Sequence, residues 1–167
     1  MSVFYGFIVS SDATHVFHHN CSDWAHNIHK SWKSKIPYRN YNIIVNHNRR
    51  ILHSTNGHPG TYNDQSLQEE DVFLRCVKDG RKYSDLQFEL YEMNSDGCVY
   101  KKPYKGAWFI VDNGYKEWTC LQPPLKDHLN QNETRYSQWL ESMRKDVECT
   151  FGMLKKVRHI KNWGEST

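Results

Sequence analysis

The stretch Gly6-Phe7-Ile8-Val9-Ser10-Ser11-Asp12 is a short apolar run that ends in a carboxylate. A second run of the same kind, Ala107-Trp108-Phe109-Ile110-Val111-Asp112, lies far along the chain. Short apolar runs with β-branched and aromatic members are typical of buried strands. We therefore expect two buried strands, each with an acidic residue where the strand ends.

A third acid, Glu148, lies in Arg144-Lys145-Asp146-Val147-Glu148-Cys149, within a helical pattern. Carboxylates from two strand ends and a helix form a set of oxygen ligands, which Mg²⁺ and Mn²⁺ prefer. Paired hard cations of this kind catalyse in-line displacement at phosphorus. The three acids together predict a metal-dependent nuclease or strand transferase.

The composition predicts one folded domain. The chain has 167 residues, and its aromatic share of 14% compensates for a modest hydrophobic share of 38%. The formal net charge is only +3, but basic residues cluster at positions 30–50 and 144–161. Such clusters fit phosphate contacts, although solvated Lys and Arg faces are the commoner meaning of basic runs.

The five cysteines are widely spaced and form no Cys-x-x-Cys pair. This pattern indicates neither a disulfide framework nor a thiolate zinc site, so we expect reduced thiols in an intracellular protein. No apolar stretch approaches the roughly 20 residues that span a bilayer. We expect no membrane partner and no secretion signal.

The strand pattern predicts a mixed sheet. Strands are expected at residues 4–11, 41–47, 51–55, 86–91, 98–104 and 106–111. The second and third of these form a hairpin around Asn48-Arg49-Arg50, and the fourth and fifth form another around Asn94-Ser95-Asp96-Gly97. Gly57-His58-Pro59-Gly60 is expected to interrupt regular structure.

Two helices complete the pattern. One is expected over residues 65–78, capped by Asn63 or Asp64, and a longer one starts near Asn130 or Asn132. Asn130 and Glu133 have the spacing of a capping box. The long helix carries an apolar stripe of Tyr136, Leu140, Met143, Val147, Phe151 and Leu154. The fold class is therefore α/β, a mixed central sheet flanked by helices, which is compatible with an RNase H-like fold.

Three blocks around the acids resemble the catalytic motifs of Harbinger-type DDE transposases, in the branch of plant transposon proteins. The blocks are Ser11-Asp12-Ala13-Thr14-His15-Val16, Val111-Asp112-Asn113-Gly114-Tyr115 and the run from Arg144 through Glu148 to Lys155. Further matching stretches are Tyr41-Asn42-Ile43-Ile44-Val45-Asn46-His47, Gly57-His58-Pro59 with Asn63-Asp64, Tyr104-Lys105-Gly106-Ala107-Trp108 and Ser137-Gln138-Trp139-Leu140-Glu141-Ser142. The likeness covers residues 7–155.

The resemblance implies an RNase H-like nuclease core in which Asp12, Asp112 and Glu148 are catalytic and hold two Mg²⁺ or Mn²⁺ ions. Asp64 matches a further acidic position of the family, as an auxiliary metal ligand or a partner of one. DNA nicking and strand joining are then the same displacement, with water or a DNA 3′-hydroxyl as nucleophile.

DNA contacts are predicted beside these acids. Arg144, Lys145 and Lys155 flank Glu148 on the helix and are candidates for phosphate contacts, with exposed helix charge as the alternative. His15 lies three residues after Asp12 and is either a substrate contact or a packing residue.

Each acid also has a structural explanation. Asp12 can cap a strand end, Asp112-Asn113-Gly114 is an ordinary turn sequence, and Glu148 can pair with Arg144 one helical turn away. Separately, His18, His19, Cys21, His26 and His29 crowd one segment. A zinc-stabilised interaction module built on that segment is a hypothesis outside nucleic-acid chemistry.

We expect a single domain over residues 1–167. Members of the family carry helical sequence upstream, a separate DNA-binding module and further sequence downstream, so we expect a truncated or domesticated core without autonomous transposition. The alternative is an inactive, transposase-derived DNA- or protein-binding domain. The expected partners are DNA and a separate DNA-binding protein, with homo-oligomers formed through apolar surface and a location in the nucleus.

Overall fold

The computed structural model describes residues 8–17, 22–30 and 34–156. The elements run in the order β1 (Ile8–Phe17), α1 (Asp23–His29), β2 (Tyr38–Asn46), β3 (Ile51–Ser54), β4 (His58–Pro59), α2 (Asp64–Glu70), α3 (Val72–Lys78), β5 (Gln87–Met93), β6 (Val99–Lys105), β7 (Trp108–Ile110), β8 (Leu121–Gln122) and α4 (Gln131–Lys156).

A six-stranded sheet forms the centre of the fold. Five strands lie in the order β3-β2-β1-β7-β8, and the sixth, β4, pairs with Arg39 and Asn40 near the start of β2. β1 pairs antiparallel with β2 and parallel with β7, and β7 pairs parallel with β8. The predicted α/β class and mixed sheet are confirmed. The predicted hairpin is also present, because β2 and β3 pair antiparallel.

α4 covers one face of this sheet. Its Val147 and Phe151 pack on Ile43 and Val45 of β2. Leu140 of the same helix packs on Ile110 of β7. The apolar stripe predicted from the sequence thus faces the sheet, which holds the helix across β1, β2 and β7.

The predicted cap at the start of α4 is also confirmed, although Glu133 accepts from the Asn130 side-chain amide and from Leu129 N–H instead of from Asn130 N–H. Glu133 N–H donates to Asn130 Oδ1 at 3.0 Å, and Asn130 Nδ2 donates back to Glu133 Oε1 at 2.9 Å. Of the two predicted starts, Asn130 is therefore the residue that caps the helix.

The opposite face carries α2 and α3. The prediction of one helix over residues 65–78 is wrong, because the chain breaks at Asp71 into two helices. The Asp71 carboxylate accepts hydrogen bonds from Phe73 N–H and Leu74 N–H and so starts a new helix. Of the two predicted caps at the upstream end, Asn63 is the one used, since its Oδ1 accepts from Ser66 N–H at 2.9 Å.

Three strand predictions need correction. β1 does not end at Ser11 but continues to Phe17, because every residue from Val9 to Phe17 pairs with β2. Residues 4–7 of the predicted strand lie outside the described part of the chain. His58 and Pro59, expected to interrupt regular structure, pair with β2 as β4. The two residues of β8 gave no strand signal at all.

β5 and β6 pair antiparallel, so the hairpin predicted for residues 86–91 and 98–104 is confirmed. The two strands form a sheet of their own, which the sequence did not predict. The hairpin carries several exposed large apolar side chains, among them Tyr91, Met93 and Val99. None of the helices among the described residues has the length and apolar character needed to cross a membrane.

Candidate functional site

Parallel pairing brings two of the predicted acids side by side. The register aligns Ile8 with Trp108 and Ser10 with Ile110. Asp12 and Asp112 each follow this ladder by two residues, and they lie close enough for the charge of Asp112 to raise the pKa of Asp12. Asp12 belongs to the alternate set of β1 that faces α4, since Arg144 of α4 binds it. Ser10 shows that orientation directly, since its hydroxyl donates to the Met143 carbonyl of α4 at 3.3 Å. Asp12 lies within β1, so the prediction that it ends the strand is wrong, although the parallel ladder stops two residues before it.

Asp12 is largely buried, with 16% of its side chain exposed. Its Oδ1 accepts from Ala13 N–H at 2.8 Å, and its Oδ2 accepts from Arg144 Nη1 at 2.9 Å. Burial raises the pKa of Asp12 from 3.8 to about 6, although Arg144 and the Ala13 N–H act in the opposite direction. The Asp112 and Asp64 carboxylates raise it further. Three carboxylates, those of Asp12, Asp64 and Asp112, thus interact here beside one cationic side chain, Arg144.

Glu148 and Asp12 are both paired with Arg144. Arg144 Nη2 lies 3.2 Å from Glu148 Oε1, one helical turn along α4, while Nη1 holds Asp12. The helical pairing considered from the sequence is therefore present, and the guanidinium also reaches β1. Half of the Glu148 side chain is exposed. One arginine thus links the first and third predicted acids.

Asp64 and Asp112 approach each other over Gly114. A Cβ built at Gly114 would lie 2.7 Å from Asp64 Oδ2 and 3.0 Å from Asp112 Oδ1. Gly114 N–H donates to Asp112 Oδ1 at 2.8 Å, so the turn considered from the sequence also forms. A side chain at this position would push the two carboxylates apart, which gives the glycine a steric reason to be there.

Helix α2 is hydrogen-bonded to the loop that follows Asp112. Gln68 Nε2 donates to the Lys116 carbonyl at 3.1 Å, and Gln68 Oε1 accepts from Lys116 N–H. Gln68 itself is fully buried. This two-way bond fixes Asp64, the first residue of α2, beside the turn that follows Asp112.

The donor set suits a hard divalent cation, but the side chains are not gathered into a ready metal site. Among the described residues no group of three or more His, Cys, Asp or Glu side chains is placed to hold a metal ion. The reason is visible for Asp12 and Glu148, since Arg144 stands between them. Oxygen-only donors and an excess of carboxylates over cationic side chains fit Mg²⁺ or Mn²⁺ chemically.

The predicted DNA-contacting residues lie around this site. Lys145 and Lys155 are exposed on α4, whereas Arg144 is mostly covered and occupied by carboxylates. The His15 ring packs edge-on against Tyr38, with centroids 4.4 Å apart. Lys155 also borders an apolar groove of about 320 Å³ between α4 and β1. Contact of these four residues with DNA stays a prediction.

Sequence reasoning missed the polar groups behind the acids. Tyr115 is buried, and its hydroxyl donates to Asn42 Oδ1 at 2.7 Å. Burial raises the pKa of Tyr115, and the nearby charges of Asp12, Asp64 and Asp112 add to the effect. The available signal was an asparagine between apolar neighbours in the predicted strand at 41–47, since buried amides need partners.

The zinc hypothesis falls largely outside the described residues. His18, His19 and Cys21 are not described, while His26 and His29 lie on α1. It stays untested.

A family model described as plant transposon protein matches residues 1–164. Neither the curated proteins nor the solved structures contain a match to the chain.

Proposed function

The chain belongs to the plant transposon protein family, and from that premise we propose that it is the nuclease core of a Harbinger-type DDE transposase. The proposed reaction is Mg²⁺-dependent cleavage and joining of DNA phosphodiester bonds. The observation that carries the proposal is the grouping of acids from β1, the loop after β7, α2 and α4 around Asp12, whose pKa is raised to about 6. Acids crowded in this way are typical of functional sites.

The strand arrangement supports an RNase H-like fold. β1 lies between an antiparallel strand pair on one side and two parallel strands on the other, and α4 crosses the face that carries Asp12. The resemblance of the three acidic blocks implies the same fold. We propose it on these two grounds together.

Asp12, Asp112 and Glu148 are the proposed ligands of two divalent ions, with Asp64 as the auxiliary ligand. When bound, Mg²⁺ or Mn²⁺ supplies charge stabilisation for in-line displacement at phosphorus. The protein's part is to hold the carboxylates on one rigid sheet edge and helix. Arg144 is paired with both Asp12 and Glu148, so we propose that it would turn to a DNA phosphate where a divalent cation takes its place. Lys145, Lys155 and His15 are proposed to contact the DNA beside it.

Asp112→Asn is the decisive variant. Asparagine keeps an Oδ1 acceptor for Gly114 N–H, so the turn survives while the charge is removed. We expect nicking of supercoiled plasmid in Mg²⁺ to fall by more than about 100-fold.

Asp96→Asn is the matched control, because Asp96 lies exposed in the turn between β5 and β6. It should nick at the wild-type rate. Wild-type protein that binds neither Mg²⁺ nor Mn²⁺ at millimolar concentration and nicks no DNA would refute the proposed activity.

A second candidate function is a non-catalytic, transposase-derived DNA- or protein-binding domain. It is favoured by the Arg144 bridge, which already satisfies Asp12 and Glu148 without a metal. This alternative expects DNA binding that weakens with salt and survives the loss of Asp112 and Glu148. Binding that disappears together with those carboxylates would argue against it.

DNA is the proposed partner under both candidates. A separate DNA-binding protein would supply sequence recognition, and self-association would use exposed apolar surface such as Met93 and Val99 of the β5–β6 hairpin. A chromosomal DNA substrate leads us to propose a nuclear location. Light scattering tests the self-association, and a fluorescent fusion expressed in eukaryotic cells tests the nuclear location.

A further inference from the structure

A buried polar chain lies on the face of the sheet opposite α4, centred on Asn42 of β2. Asn42 is fully buried. Its Oδ1 accepts two hydrogen bonds, from Ser11 Oγ at 3.0 Å and from Tyr115 OH at 2.7 Å. Its Nδ2 donates to Asp71 Oδ2 at 2.7 Å. Every polar atom of this side chain therefore has a partner inside the protein.

Asp71 fixes which way the Asn42 amide points. The Asp71 carboxylate has no exposed surface. Burial alone would raise its pKa, but the His53 imidazole, with Nε2 3.2 Å from Oδ1, and hydrogen bonds from Asn42 and the Leu74 N–H outweigh burial and lower it. An ionised carboxylate only accepts hydrogen bonds, so the amide nitrogen must face it. The amide oxygen is then left to receive both hydroxyl protons.

The backbone of Asn42 is fixed as well. Its N–H donates to Thr55 Oγ1 at 2.9 Å, and Thr55 N–H donates to its carbonyl at 3.0 Å. Asn42 is therefore held at both its backbone and its side chain. Rotating its amide or shifting its strand would break several buried hydrogen bonds, which costs free energy.

The two hydroxyls that meet on Asn42 belong to the two chain segments that carry the acids. Ser11 directly precedes Asp12 in β1. Tyr115 ends the turn that begins at Asp112, and its N–H points to the Asp112 carbonyl at 3.4 Å. One amide oxygen thus ties both segments together from behind the sheet.

We propose that Asn42 is a positioning residue that sets the separation of Asp12 and Asp112. It touches neither carboxylate and acts through Ser11 and Tyr115. Its consequence for metal binding rests on the proposed function, whereas the mechanical coupling does not. The coupling has a distinctive consequence: loosening either hydroxyl should disturb both acids.

Two backbone amides report on the acids separately. Ala13 N–H donates to Asp12 Oδ1, and Gly114 N–H donates to Asp112 Oδ1, each at 2.8 Å. Their hydrogen exchange, followed by NMR, gives a readout that needs neither metal nor DNA.

The test uses Ser11→Ala and Tyr115→Phe, each of which deletes one hydroxyl and keeps the rest of the side chain. We expect each variant to accelerate exchange at both reporter amides by roughly fivefold, the effect of losing one buried hydrogen bond. Tyr136→Phe is the control, because Tyr136 is a partly buried tyrosine of α4 on the opposite face. It should leave both amides unchanged.

The proposal is overturned if each variant changes hydrogen exchange only at the reporter amide nearer to it. If Ser11→Ala changes only Ala13 and Tyr115→Phe changes only Gly114, each hydroxyl acts locally and Asn42 couples nothing. The two variants back each other up, since either one alone shows whether the distant amide responds.

Mn²⁺ titration then separates this inference from the proposed function. We expect both hydroxyl variants to bind Mn²⁺ roughly fivefold or more weakly than Tyr136→Phe, at unchanged folded content. Equal affinity in all three proteins would overturn the positioning role in metal binding. A wild-type protein that binds no Mn²⁺ would refute the proposed function, while the exchange data would still decide the coupling.

Discussion

Asp12 is expected to destabilise the fold that it serves. Its pKa is raised from 3.8 to about 6, so the stability contributed by the neutral form is complete below about pH 4 and is lost as the pH rises through about 6. Asp12→Asn removes that loss. In chelator, we expect its free energy of unfolding near pH 8 to exceed that of the wild type by up to about 3 kcal/mol. The difference should vanish near pH 4, as measured by urea unfolding.

Glu148→Gln is the comparison for that experiment, since it removes the other carboxylate bound to Arg144. Glu148 is half exposed, and ion pairs of that exposure contribute only about 0–1 kcal/mol. We expect little change in unfolding free energy at either pH. A gain near pH 8 equal to that of Asp12→Asn would show that burial of Asp12 is not the cause.

The sequence motifs indicated which acidic residues belong to the candidate site, but not which side chains those residues contact. The motif blocks pointed to Asp12, Asp112, Glu148 and Asp64, and the helical spacing offered the pair of Glu148 with Arg144. The bond from Arg144 to Asp12 joins residues 132 positions apart. No local pattern contains such a contact, because it exists only after α4 has packed across β1.

Asp71 is expected to decide how α2 and α3 form. Its carboxylate caps α3 through two backbone N–H groups and binds Asn42, all without exposed surface. We expect Asp71→Ala to lower the free energy of unfolding by about 3 kcal/mol, the sum of a lost cap and an unpaired buried amide. Because the pKa of Asp71 is lowered, the difference from wild type should shrink as the pH falls below about 4.

Asp79→Ala serves as the matched variant, because Asp79 lies exposed at the other end of α3. We expect it to change the free energy of unfolding by less than about 0.5 kcal/mol. Similar losses in the two variants, measured by urea unfolding, would contradict a special role for the buried cap.

Element predictions succeeded where local signals agreed and failed where tertiary contacts decided. The long helix had both a capping box and an apolar stripe, and it was found as predicted. The region 65–78 had a continuous apolar pattern, so the break at Asp71 was hidden. The second half of β1 has a mixed polar sequence, and it is a strand because β2 pairs with it residue by residue.

The site as a whole depends on strand order, which the sequence did not determine. Apolar runs predicted central strands at Asp12 and Asp112, but not that they are parallel neighbours. Because β1 and β7 are neighbours, Asp12 and Asp112 follow adjacent strand residues, and the packed helix brings Glu148 to Arg144 beside Asp12. The mixed sheet was therefore predictable, whereas the geometry of the acids required the packed molecule.

The β5–β6 hairpin is expected to be dispensable for folding of the rest. It forms a sheet separate from the six-stranded one, and Tyr91, Met93 and Val99 are each more than 60% exposed, at 63%, 71% and 65%. Little apolar surface is therefore lost if the hairpin is removed. A Gly106 N–H bond to the Leu86 carbonyl at 2.9 Å closes its base.

Replacing residues 88–104 with an Asn-Gly turn should preserve that closure, since Gln87 and Lys105 are paired neighbours. We expect cooperative thermal unfolding with a loss below about 2 kcal/mol, because the main core cluster draws on no residue of the hairpin strands. Mn²⁺ affinity should stay at the wild-type value, as the acids lie on other elements. Loss of cooperative unfolding would show instead that packing of the hairpin against Trp108 of β7, across the groove between them, is essential to the core.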